Sequence, residues 1–124
     1  MKILFSGDTA KFPIEIYSDG VRVSPANVDL LKWVRVIVYS RVDAANVVNR
    51  YCYGIVPPSG WVPLVFSATD DTLYLILTAV DTAKIINEEL VMQITTCIHD
   101  PLMPNQDDIS TGTAVFCKIK LKED

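Results

Sequence analysis

The chain has 124 residues, half of them hydrophobic, and a formal net charge of -4. That length and apolar content fit one domain, 1–124, around a single core. Its eleven Lys and Arg are scattered singly, so the basic footprint of a nucleic-acid binder is missing, and an anionic membrane surface is excluded as a partner on the same ground.

The apolar runs are strand-sized, well short of the roughly 18–20 residues that span a bilayer. Met1-Lys2-Ile3-Leu4-Phe5 is cut off by Ser6-Gly7-Asp8, too early for a secretory core. The expectation is synthesis and retention in a cytoplasm. Cys52, Cys97 and Cys117 are odd in number, widely spaced and embedded in strand patterns. They read as small buried hydrophobes, not as a disulfide framework or zinc ligands.

The dominant period along the chain is two. Residues 11–17 alternate, with Phe12, Ile14 and Ile16 on one face, and Pro13 marks an edge strand. Ser18-Asp19-Gly20 turns the chain into a short return over Val21-Arg22-Val23. Residues 32–41 predict the central strand: Val34, Val36 and Val38 point one way, Trp33, Arg35, Ile37 and Tyr39 the other. Trp33 is expected in the core. Residues 47–55 read as the hairpin partner, rich in Val and Tyr. Pro57-Pro58-Ser59-Gly60 breaks the pattern. Short strands follow at 63–67 and 72–77.

Thr78-Ala79-Val80-Asp81 has the form of a capping box, so a helix of about two turns begins there. It is too short to stand alone and must pack over the sheets as a crossover. Residues 90–98 alternate again. Residues 99–110 are expected to form a long polar loop. The final strand is expected at 111–121, with Val115, Cys117, Ile119 and Leu121 inward and Lys118 and Lys120 outward. The fold class is therefore all-β: an immunoglobulin-like β-sandwich of seven to eight strands with one short crossover helix near 79–86.

No reaction centre emerges from the residues. His99 is the single histidine, and a pairing with Cys97 lacks a third group to orient it. Asp100, Asp107 and Asp108, like Asp70-Asp71, lack the spacing of a calcium loop. Gly7-Asp8-Thr9 lacks the Lys and the Gly-rich run of a phosphate loop. The candidate partner interface is Trp61 with Pro57 and Pro58 in one loop, and Leu102, Met103 and Ile109 as apolar residues in another. No catalytic, cofactor or metal residue is assigned, and the chain is expected not to be an enzyme.

Two stretches together carry a resemblance. Ser6-Gly7-Asp8-Thr9-Ala10-Lys11-Phe12-Pro13-Ile14-Glu15-Ile16, with its Asp19-Gly20 turn, resembles the opening of the N-terminal immunoglobulin-like domain of tailed-phage baseplate upper proteins. Leu75-Ile76-Leu77-Thr78-Ala79-Val80-Asp81-Thr82-Ala83-Lys84-Ile85, with the strand at 90–94, is similar to that family's strand, helical turn and return strand. Val34-Arg35-Val36-Ile37-Val38 fits its central strand. The resemblance implies a virion structural protein that docks onto other virion proteins and brings no catalytic residues. The family continues into receptor-binding parts, whereas this sequence stops at Asp124, and Pro57-Pro58-Ser59-Gly60 and the 99–110 loop look like insertions. An auxiliary capsid, head-fibre or tail-adaptor component is therefore expected, as a possible homo-oligomer. The alternative is a carbohydrate-binding or adhesin-type β-sandwich.

Overall fold

Alternating side chains set the layers in the computed structural model, which describes residues 1–100, 102 and 107–120. The architecture is all-β and sandwich-like, with one short helix. In chain order the elements are β1 (Lys2–Phe5), β2 (Ala10–Ile14), β3 (Ile16–Ser18), β4 (Val21–Val23), β5 (Leu31–Ser40), β6 (Val47–Tyr53), β7 (Trp61–Pro63), β8 (Val65–Ser67), β9 (Thr72–Leu77), α1 (Ala79–Lys84), β10 (Glu88–His99) and β11 (Asp107–Lys120). Four of these eleven strands, β3, β4, β7 and β8, are only three residues long. The count exceeds the seven to eight patterned runs because β1 is an added strand, and because the runs at 11–17 and 63–67 each divide where the chain changes sheet, into β2 and β3 and into β7 and β8.

A six-stranded sheet has the order β1-β11-β10-β5-β6-β7, a three-stranded sheet the order β2-β9-β8, and β3 and β4 form a hairpin of their own. Strand β5 is central. Val34, Val36 and Val38 have no exposed surface, because period two sends all three to one face. Leu73, Leu75 and Leu77 of β9 face them with equally complete burial. Ile14, Ile16, Tyr51, Leu90, Cys117 and Ile119 close the same core. Pro13 lies in β2, at the margin of its sheet opposite Tyr74, where a residue without an N–H is tolerated.

The capping box forms at the expected residues. The Thr78 side chain accepts from the Asp81 N–H at 3.3 Å, and the Asp81 carboxylate accepts from the Thr78 N–H at 3.0 Å. Helix α1 carries the chain from β9 in one sheet to β10 in the other.

The placements expected for Trp33, residues 107–110 and Val115 change. Trp33 is half-buried on the outer face of the six-stranded sheet, not in the core. The Arg35 guanidinium lies 4.7 Å from the centre of its ring, so a cation supplies part of its contact. Residues 107–110 are strand, not loop, because Asp107, Asp108, Ile109 and Ser110 pair with His99, Ile98, Cys97 and Thr96. Val115 is 40% exposed. The register of β10 against β11 slips between Leu90 and Val91, leaving Phe116 as the extra residue. That bulge reverses the alternation. Phe116 turns inward instead, edge-on to Phe12 with ring centres 4.8 Å apart. The predicted inward Leu121 lies outside the described residues.

Candidate functional site

Trp61 opens β7 and pairs with Arg50 of β6. It is half-buried, a strand residue at the margin of the sheet and not a loop tip. Its N–H donates to the Pro58 carbonyl at 3.0 Å, and this turn holds Pro57 and Pro58 exposed beside it. Leu102 is 89% exposed and Ile109 62% exposed. Ile109 stands on β11 opposite Cys97. Met103 lies outside the described residues. The sheet order puts four inter-strand spacings between β7 and β11, about 19 Å across. The predicted interface residues therefore divide into two patches, Trp61 with Pro57 and Pro58 at one margin, and Ile109 with Leu102 toward the other.

The second patch adjoins two depressions. One is a shallow groove of about 380 Å³ on the inner face of the six-stranded sheet. Glu15, Ile16 and Tyr17 form one wall; Met92, Ile94, Gly112 and Ala114 lie along the other side. The other, of about 550 Å³, opens at the end of the β10–β11 hairpin beside β3 and β4. Part of its polar lining is committed elsewhere. Arg22 donates to the Asp71 carbonyl and to the Thr72 hydroxyl and pairs with the Asp71 carboxylate at 3.5 Å. The His99 Nδ1 lies 3.3 Å from the Asp107 carboxylate.

Several titratable groups are buried or held in structural hydrogen bonds. Burial pushes the Cys97 thiol above its ordinary value, and the Asp107 carboxylate adds to the rise. A nucleophilic thiol needs the opposite shift. Burial likewise raises the Cys52 thiol and pushes Cys117 up to about 12. The Asp70 carboxylate accepts from the Ser67 and Tyr74 hydroxyls, and these bonds hold it below its usual range. Asp71, at φ 51, occupies the turn itself and accepts from the Ser24 hydroxyl at 2.8 Å. Among the described residues no three His, Cys, Asp or Glu side chains converge as a metal site would require, and no helix is long and apolar enough to cross a membrane.

Among the described residues Asp81 is the most enclosed carboxylate, 4% exposed. Besides its cap bonds it accepts from the Asn49 amide at 3.1 Å and the Tyr51 hydroxyl at 3.4 Å, and Lys84 Nζ lies 3.6 Å away. Burial, then the Asp81 charge, raises the Tyr51 phenol well above its ordinary value. The cluster pins α1 to β6. Its donors come from a residue three positions away and from another strand, so only the cap half was legible in the sequence.

What sequence reasoning missed is the free side of β11. Ile109, Thr111, Thr113 and Val115 alternate as β-branched residues, the pattern of a strand; the strand is expected from Thr111 on, but Asp107-Asp108 hide its start at 107–110 in a polar loop.

No family model, curated protein or solved structure matches this chain.

Proposed function

We propose that this chain is a non-enzymatic structural protein of a tailed-phage virion, docking by protein–protein contacts as an auxiliary capsid, head-fibre-anchoring or baseplate/tail-adaptor component. One observation carries the reading furthest. The two stretches that resemble the baseplate upper proteins meet in space. The Thr82 hydroxyl accepts from the Gly7 N–H at 3.0 Å and donates to the Asp8 carbonyl at 2.8 Å. The Gly-Asp-Thr opening and the helical turn are thus two halves of one joint, as expected of motifs that punctuate a fold instead of building a reaction centre. The raised thiols and the structural use of Asp70, Asp71 and Asp81 support a role without chemistry.

The test is quantitative mass spectrometry of density-banded phage particles from the source organism, with the major capsid and portal proteins as internal standards. Stoichiometric presence is expected, and the ratio separates a capsid decoration from a tail or fibre component. Absence from the particles overturns the reading. Quenching of tryptophan fluorescence by glycans would then favour a sugar-binding sandwich.

A further inference from the structure

The free side of β11 is built differently from every other sheet margin among the described residues. Residues 107–115 pair with β10 on one side, while β1 covers only 117–120 on the other. Along these nine residues, roughly 30 Å of strand, alternate residues thus present backbone donors and acceptors without a strand partner among the described residues. The other margins are blunted as edges usually are. Strands β7 and β8 are three residues long and β7 ends in Pro63. Strand β2 carries Lys11 and Pro13, and β1 has four residues. Residues 107–115 contain no Pro, Lys or Arg, and their outward face is β-branched.

We propose that this edge pairs antiparallel with the same edge of a second copy, joining two six-stranded sheets across a two-fold axis. Charge selects both the partner and the direction. The only charged residues of the segment are Asp107 and Asp108, at one end. Pairing centred on Thr111 sets Asp108 opposite Ala114 and Asp107 opposite Val115. The carboxylates of the two copies then lie about 20 Å apart. A parallel arrangement would stack Asp107 on Asp107 and Asp108 on Asp108, which is repulsive. The antiparallel register also brings the acidic end of one strand toward Lys2, where β1 of the other copy begins. Ile109 meets Thr113 and Thr111 meets Thr111 on the outer face. Ser110 meets Gly112 on the inner face, where small side chains fit beside the open groove. The self-complementary edge is an isologous interface. It is a property of the isolated chain and does not depend on a virion location.

Sedimentation equilibrium of the full chain over a range of concentrations tests this. A reversible dimer is expected, and Thr111→Lys, which sets two like charges opposite each other, weakens it at least tenfold while far-ultraviolet circular dichroism is unchanged. In parallel, Thr111→Cys is oxidised. A covalent dimer is expected, with none from Val80→Cys, an exposed position on α1; this arm stands even if the Lys variant fails to fold. A chain that stays monomeric at every concentration overturns the proposal, including one that instead takes up an extended segment of a different protein. So does a dimer that Thr111→Lys leaves intact, or one in which Thr111→Cys does not cross-link.

Discussion

The Thr82 hydroxyl holds Gly7 by accepting its N–H at 3.0 Å, across 75 positions of sequence. Thr82 is wholly buried, and the same oxygen donates to the Asp8 carbonyl. The first turn of the chain is thereby fixed onto the crossover helix.

Thr82→Val keeps the shape and removes the hydroxyl, leaving the Asp8 carbonyl and Gly7 N–H without their partner. A loss of about 1–2 kcal/mol is expected in urea unfolding, with Thr82→Ser close to the parent chain. Equal stability of the Val variant would show that water replaces the joint at no cost.

The Asp81 cluster makes a pH prediction. The Tyr51 phenol is raised above its ordinary value of 10.0 by burial and by the Asp81 charge. Above that value the unfolded chain loses the proton and the folded chain keeps it, so the folded state binds more protons. Its contribution to stability is complete below pH 10 and is lost progressively as the pH rises further. Tyr51→Phe is expected to flatten the alkaline fall in thermal midpoint. An unchanged slope would assign the fall to other groups.

Gly54 sits at φ 82, just past β6, and a Cβ there would lie 2.5 Å from the Lys32 carbonyl oxygen. Both the positive φ and the contact oppose any side chain. Gly54→Ala is expected to cost about 2 kcal/mol or more, measured by thermal unfolding. Gly60→Ala, at φ 85 but with nothing near the added atom, carries the backbone strain alone and is expected to cost less.

All three thiols are buried and raised. None is expected to react with a thiol-specific reagent at pH 8 until the chain is unfolded, when all three react. Fast labelling of the native chain would mean that the strands around the reacting cysteine open locally.

Trp61 is half-buried on a three-residue marginal strand. Trp61→Ala is expected to leave the domain cooperatively folded, with a loss below about 2 kcal/mol, and to weaken binding to whatever docks at that margin. Unfolding of the variant would place Trp61 among the residues that hold the sandwich together.

The parts of the fold that were legible in the sequence depend on short-range rules. Period two alone sends Val34, Val36 and Val38 to one face, and burial of that face follows from their being apolar. Pro13 cannot donate, so it marks a margin wherever its strand ends up. Thr78 and Asp81 cap a helix because three positions separate them, whatever lies beyond. The face that Trp33 takes was not legible, since both faces of β5 are rich in apolar residues and only the packing of β9 selects one.

The sequence by itself determined an all-β chain, its central strand, its edge proline and its crossover helix, because each rests on a residue's own backbone preference or on neighbours within one turn. The tertiary structure decided what long-range pairing controls: the bulge at Phe116 that turns Val115 outward, the extension of β11 over 107–110 against β10, and the separation of Trp61 from Ile109. A residue such as Asp107 has no strand preference of its own. It becomes strand because β10 offers it a row of backbone partners, and that offer exists only once the sheet has formed.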